Sequence, residues 1–68
     1  MANEWDIASQ LDRFAPPPEP TPEEDEIRDA FCDLAEDLMK RMPRNREAFV
    51  AMNHIETACM YAVRAVQA

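Results

Sequence analysis

The chain has 68 residues, no glycine, six prolines and a formal net charge of −7, which leaves room for one small domain. Nine acidic residues and one arginine lie in 19–37, whereas five basic and two acidic residues lie in 38–68. The acidic block argues against a protein that wraps long nucleic acid, because such a protein needs a broad basic face. A small anionic ligand held by a few arginines remains compatible with this charge pattern.

The N-terminal segment 3–14 is predicted to form a short amphipathic helix. Trp5, Ala8, Leu11 and Phe14 recur every three or four residues, and Asn3 is a plausible N-cap. A helix of this length is marginal on its own in water. We therefore expect its apolar side to dock on the rest of the chain or on a neighbouring copy.

Residues 15–21 form a proline-rich connector that includes Pro16. Proline fixes φ and disfavours the α region for the residue before it, so the segment is expected to be extended and stiff. Such a connector would hold the first helix at a defined distance and angle from the second.

The second helix is predicted to run from residue 22 to about residue 41. Thr21 is its expected cap, Pro22 takes the first helical position, and Glu24 completes a capping box. Its apolar stripe comprises Ile27, Phe31, Leu34, Leu38 and Met42, widened by Ala30, Ala35 and Met39.

The third helix is predicted to begin after Asn45, its expected N-cap, and to continue to about residue 66. Pro43 ends the second helix, so the short connection predicts an antiparallel helical hairpin. The apolar positions follow a heptad spacing rich in small side chains: Ala48, Met52, Ile55, Cys59, Ala62 and Val66. Together with Ala58 and Ala65, these residues favour close helix packing. Phe49, Met60 and Tyr61 lie off this line, so a homo-oligomer is expected.

No catalytic or metal-binding arrangement is evident in the sequence. Ser9 is the single serine and has no nearby His or Lys, and His54 lacks the Glu-x-x-His spacing of di-metal bundles. Cys32 and Cys59 sit in helical apolar patterns, where reduced core thiols are expected. The chain is therefore not expected to be an enzyme or to use a cofactor. Because it also lacks an apolar run of membrane-spanning length and a signal-peptide core, the cytoplasm is expected.

Three sets of residues are candidates for binding, each with a structural alternative. Lys40, Arg41, Arg44 and Arg46 surround the hairpin turn, where they either complement helix ends or bind an anion. Arg28 either pairs with a helical neighbour such as Glu24 or contacts a phosphate. Phe14 either packs into the hairpin or offers a face on which a base stacks.

Several segments of the hairpin also carry a family pattern: Ile27-Arg28, Leu34-Ala35, Pro43-Arg44-Asn45-Arg46-Glu47, the run from Asn53 to Ala62, and Ala65-Val66. In these segments the chain resembles the helical-hairpin domain of small phage anti-CBASS proteins, over about 40 of the 68 residues. Those proteins are oligomeric sponges that sequester the cyclic oligonucleotide messengers of bacterial defence.

The resemblance implies a non-enzymatic sponge in the host bacterial cytoplasm, assembled as a hexamer with cyclic GMP-AMP-type ligands between protomers. Phe14-Ala15-Pro16 resembles the family's Tyr-His-Pro segment, whose aromatic residue stacks on a purine, and Arg28 matches a basic residue that contacts phosphate. The resemblance therefore implies Phe14, Pro16 and Arg28 as ligand-binding residues. Phe14 lacks the tyrosine hydroxyl and Ala15 replaces the histidine, so hydrogen bonds from those side chains are lost. Some members also bind cyclic trinucleotides at a separate site. The alternative is a small helical adaptor or inhibitor that binds a host protein.

Overall fold

A computed structural model describes residues 5–15 and 19–67, and all the regular structure in these ranges is helical. Helix α1 spans Ile7–Leu11 and continues as a 3₁₀ turn, Asp12–Phe14; helix α2 spans Pro22–Arg41 and helix α3 spans Arg46–Gln67. The two long helices pack side by side as an antiparallel hairpin, and the N-terminal arm, residues 5–15, lies against both. The predicted all-α class is confirmed.

Helix α1 begins at Ile7, so the expected helix start at Asn3 is wrong. Asp6 is the N-cap: its carboxylate accepts from the Ser9 amide at 3.3 Å and from the Ser9 hydroxyl at 2.9 Å. Trp5 precedes the helix, and its indole Nε1 donates to the Met42 carbonyl at 3.1 Å. Asp6 has φ −84° and ψ 87°, outside the helical region, so the helix does not extend back to Trp5. Asn3 itself lies outside the described residues.

The two long helices begin with the side-chain caps expected from the sequence. At α2, the Glu24 amide donates to Thr21 Oγ1 at 3.2 Å, while the Thr21 amide donates to Glu24 Oε1 at 3.1 Å. At α3, the Ala48 amide donates to Asn45 Oδ1 at 2.9 Å. The connection between the helices is therefore only residues 42–45, which brings the end of α3 beside the start of α2.

The structure describes the first residue of the proline-rich connector, Ala15, and its last three, residues 19–21. Ala15 has extended dihedral angles, φ −59° and ψ 136°, as expected before a proline. Residues 16–18, which include the candidate Pro16, lie outside the described residues.

The core joins the arm to the hairpin through eight buried side chains: Trp5, Phe14, Ala35, Met39, Ala48, Met52, Cys59 and Val63. The expected heptad line is correct at Ala48, Met52 and Cys59 but wrong at its end, because Val63 is buried while Val66 is 43% exposed. A straight α-helix repeats every 3.6 residues, so over four turns the buried line drifts from a strict heptad.

One further expectation about the packing is wrong. Leu34 is 45% exposed, and the buried residues of α2 that join the core are Ala35 and Met39, neither of which is exposed to solvent. Ala58 and Ala65 are exposed, so a role for them in packing between protomers stays a prediction. Phe49 packs against Trp5, with ring centroids 5.0 Å apart, and is half-buried.

Four large apolar or aromatic residues lie on the outer surface of the hairpin. Leu34, Met60, Tyr61 and Val66 are 43–61% exposed, although each is large and apolar or aromatic. None of the described helices combines the length and the apolar character that a membrane-spanning helix needs.

Candidate functional site

A groove of about 390 Å³ lies where the N-terminal arm meets the open end of the hairpin. The arm contributes Arg13, Phe14 and Ala15, and α2 contributes Arg28. Helix α3 contributes the remaining lining residues, which are Glu56, Cys59, Met60, Val63, Arg64 and Gln67. The groove therefore depends on all three helical segments and exists only when the arm is docked.

The groove is cationic although the chain is acidic. Its lining holds three arginines and one carboxylate, Glu56, in a chain whose net charge is −7. Apolar surface from Met60 and Val63 lies beside these charges. Guanidinium groups next to an apolar wall suit a ligand that is both anionic and partly aromatic.

The side chain of Arg28 is only 13% exposed, whereas Arg64 is an exposed residue. Arg28 Nη2 lies 4.0 Å from Glu24 Oε2, one helical turn earlier, which is an ion pair without a hydrogen bond. Its Nη1 is buried and finds no acceptor among the described residues. An unsatisfied buried donor costs about 1–3 kcal/mol, more when charged, so this guanidinium is predisposed to accept an anionic partner.

Glu24 is held by contacts other than Arg28. Oε1 accepts from the Thr21 amide, and Oε2 accepts from Gln67 Nε2 at 2.8 Å. The Gln67 bond, followed by the Thr21 backbone bond, lowers the pKa of the Glu24 carboxyl from its ordinary value of 4.5. Glu24 thus remains ionised at neutral pH and ties the first turn of α2 to the last turn of α3.

Phe14 lines the groove, but its ring is packed into the hairpin and is only 4% exposed. Of the two alternatives drawn from the sequence, packing into the hairpin describes this position. Little of the ring is available for a base to stack on. A stacking role for Phe14 would require the arm to move, so it stays a prediction.

Arg13 and Arg64 complete the positive lining, and neither takes part in an ion pair among the described residues. Arg13 Nη1 donates to Asn53 Oδ1 on α3 at 2.9 Å, which fastens the arm across the hairpin. The Arg64 guanidinium carbon lies 5.4 Å from the centroid of the Tyr61 ring. Both side chains retain donors for a ligand.

The candidate residues Arg44 and Arg46 lie at the other end of the hairpin. Arg41 lies thirteen positions after Arg28 on α2, a distance of about 20 Å along the helix. Arg46 pairs with Glu47 at 3.0 Å, and Arg44 lies 5.2 Å from the centroid of the Phe49 ring. Lys40 and Arg41 pair with Glu36 and Asp37 at 3.2 and 3.0 Å. The structure therefore does not bring this basic cluster into the groove.

Cys59 and Cys32 are free thiols, and burial is the main cause that raises the pKa of each. They stay protonated near neutral pH, so neither is an activated nucleophile. Cys59 is buried as expected and Cys32 is half-buried. His54 is exposed. Within the described ranges no group of histidine, cysteine and acidic side chains is placed to hold a metal ion.

Sequence reasoning missed Arg13, Arg64 and Gln67 as lining residues. Arg13 stands one residue before the aromatic candidate Phe14, and Arg64 is the only base in the last two turns of α3. The sequence shows both positions, but their place in one groove follows only when the arm folds back over α3. Gln67 carried no such signal, because a glutamine near a helix end is common.

Comparison with known families gives a match to a model described as the Acb2/Tad1 hairpin domain, over residues 7–67. The match includes the arm from the first residue of α1 and extends through the end of α3. Comparison with curated proteins and with solved structures returns no match.

Proposed function

Because the chain belongs to the Acb2/Tad1 hairpin-domain family of phage anti-defence sponges, we propose that it sequesters cyclic dinucleotides of the cyclic GMP-AMP type. It acts in the cytoplasm of the bacterial host, where it lowers the free concentration of the messenger and keeps the CBASS effector inactive. It binds the messenger without chemical change.

The observation that supports this proposal most directly is the cationic groove at the open end of the hairpin. A cyclic dinucleotide carries two phosphodiester charges and two bases, and the groove offers three guanidinium groups beside an apolar wall. Arg28 supplies the buried donor, while Arg13 and Arg64 reach from the arm and from α3. Bases would lie against the exposed Met60 and against the guanidinium planes.

The described residues offer little for cleavage of a phosphodiester. The thiol beside the groove, Cys59, is held protonated by burial, and no metal-binding cluster occurs among the described side chains. The lining holds a single carboxylate, Glu56, together with three arginines. These features favour capture of the ligand over turnover.

A hexamer fits the same proposal. Exposed Leu34, Met60, Tyr61 and Val66 give the hairpin apolar surface to cover, and Met60 is also a lining residue of the groove. A neighbouring protomer that covers this surface would close the groove and could add donors to it. A two-fold interface between protomers presents each contact twice, which suits a ligand with two phosphates.

Isothermal titration with 3′,3′-cyclic GMP-AMP tests the proposal, with its linear dinucleotide and GMP as controls. We expect saturable binding of the cyclic ligand and recovery of the intact ligand after heat denaturation. Size exclusion coupled to light scattering, with and without ligand, gives the number of protomers. No heat and no protection of the messenger from a phosphodiesterase would contradict the sponge, and recovery of a linear product would show an enzyme.

The second candidate function is a helical adaptor or inhibitor that binds a host protein. Leu34 favours it, because this exposed residue lies on α2 between Asp33 and Asp37 in the acidic block. A stoichiometric host protein that co-purifies with the chain, with no nucleotide released on denaturation, would favour the adaptor over the sponge.

A further inference from the structure

Gln67 and Arg28 approach the same oxygen of Glu24. The Gln67 side-chain amide donates to Glu24 Oε2 at 2.8 Å, whereas Arg28 Nη2 stops at 4.0 Å from that atom. The other oxygen, Oε1, accepts from the Thr21 amide at 3.1 Å. Both carboxylate oxygens are therefore engaged by neutral donors, although a guanidinium lies one helical turn away.

This arrangement is unusual for its spacing. Elsewhere in α2, an acid four residues before a base closes into contact: Glu36–Lys40 at 3.2 Å and Asp37–Arg41 at 3.0 Å. Here the capping box turns Glu24 back toward Thr21, and Gln67 occupies the side of the carboxylate that faces α3. Arg28 keeps the nearby negative charge but makes no hydrogen bond with it, and its Nη1 is buried without an acceptor among the described residues.

We propose that Gln67 is a positioning residue, which holds Glu24 off Arg28 so that the guanidinium donors stay free for an anionic ligand. The ligand half of this inference rests on the proposed function. The structural half concerns only three side chains of the ligand-free protein. Gln67 acts through Glu24, and its own contact with a ligand is not needed.

Removing the Gln67 amide should let Arg28 and Glu24 form a hydrogen bond. In Gln67→Ala, Glu24 Oε2 loses its donor, Arg28 moves into hydrogen-bond distance, and affinity for 3′,3′-cyclic GMP-AMP falls by about three- to tenfold. In Glu24→Gln the competing charge is gone, so affinity stays equal to that of the parent or rises. In the double variant the loss should disappear, because no carboxylate remains to close on Arg28.

Two controls keep the result specific. Glu23→Gln makes the same change of charge at the neighbouring exposed position and should leave the effect of Gln67→Ala unchanged. Gln67→Leu preserves most of the side-chain volume and should behave like Gln67→Ala. If Gln67→Ala lowers affinity equally in the parent protein and in the Glu24→Gln variant, the inference is overturned, because Gln67 would then act on the ligand or on folding directly.

A ligand-free measurement separates this inference from the proposed function. A crystal structure of Gln67→Ala without ligand should show Arg28 and Glu24 within about 3 Å, the hydrogen-bond distance. A gap that stays at 4.0 Å would overturn the positioning role even if the parent protein binds the messenger. If the parent protein binds no cyclic dinucleotide but the gap closes, the proposed function fails and the positioning role stands.

Discussion

The two ends of the hairpin have similar numbers of cationic side chains but use them differently. At the turn, Lys40, Arg41 and Arg46 are each paired with a carboxylate within 3.2 Å. At the open end, Arg28 lies 4.0 Å from its nearest carboxylate and retains a buried nitrogen without an acceptor among the described residues. The comparison teaches that the number of basic residues in a segment does not locate an anion site. A guanidinium donor that is buried and has no acceptor within the fold, as in Arg28, is the more informative sign.

Each end also anchors the N-terminal arm by one aromatic side chain. Trp5 is 6% exposed and is held at the turn by the Met42 carbonyl and by Phe49. Phe14 is 4% exposed and packs at the open end, where it is also a lining residue. The arm is therefore fixed at the turn by a contact remote from the groove and at the open end by a contact within it.

The largest expected effect is on folding, from Phe14→Ala. Truncating a buried phenylalanine costs about 3–5 kcal/mol, and a domain of this size has little stability to spare. We expect the urea or thermal transition to shift to the point where the variant is largely unfolded. Phe14→Leu should cost clearly less, because most of the buried volume is kept. A Phe14→Ala variant with parental stability would show that the ring is not packed in the free protein and would restore a stacking role.

The next largest effect should distinguish the two ends by ligand binding. Arg28→Met keeps the aliphatic stem but removes the guanidinium, and we expect affinity for 3′,3′-cyclic GMP-AMP to fall about ten- to a hundredfold. Arg46→Met removes a paired cation at the turn and should leave affinity within about twofold of the parent, because Arg46 lies outside the groove and salt screens distant exposed charges. Equal losses from both variants would indicate that only the net charge of the chain matters.

The helical framework was predictable because its determinants are local. The capping box of Thr21 and Glu24 appears in the structure with Pro22 at the first helical position, and Asn45 caps α3 as expected. The buried line predicted for α3 was wrong at Val66, because a heptad approximates a straight helix only over a few turns.

The groove was only partly predictable. Phe14 and Arg28 were named from the sequence and lie together in its lining. Arg13 and Gln67 enter it through contacts with Asn53 and Glu24, which are 40 and 43 residues away along the chain. Such distant pairings depend on how the arm and the helix ends dock, which no local pattern specifies.

A smaller effect should isolate the arm's anchor at the turn. Trp5→Phe keeps a ring beside Phe49 but removes the indole donor to the Met42 carbonyl, so we expect a loss of about 0.5–1.5 kcal/mol in unfolding free energy. Ligand affinity should change little, since the groove lies at the opposite end. Loss of binding without loss of stability would show instead that the turn and the groove are coupled through the arm.

The smallest expected effect is the pH dependence of the tie between the two helix ends. The pKa of Glu24 is lowered in the folded protein, chiefly by the Gln67 hydrogen bond and the Thr21 backbone bond, so ionised Glu24 favours the folded state. That contribution is present above the unfolded value near 4.5 and is lost as pH falls through the lower folded value. The stability difference between the parent and Glu24→Gln should therefore shrink as pH decreases below 4.5. Urea midpoints of both proteins across this pH range measure this difference in stability.

Glu23→Gln, an exposed neighbour, controls for the other carboxylates that titrate in the same range. A difference that is independent of pH would mean that Glu24 stabilises the hairpin as a hydrogen-bond acceptor and not by its charge.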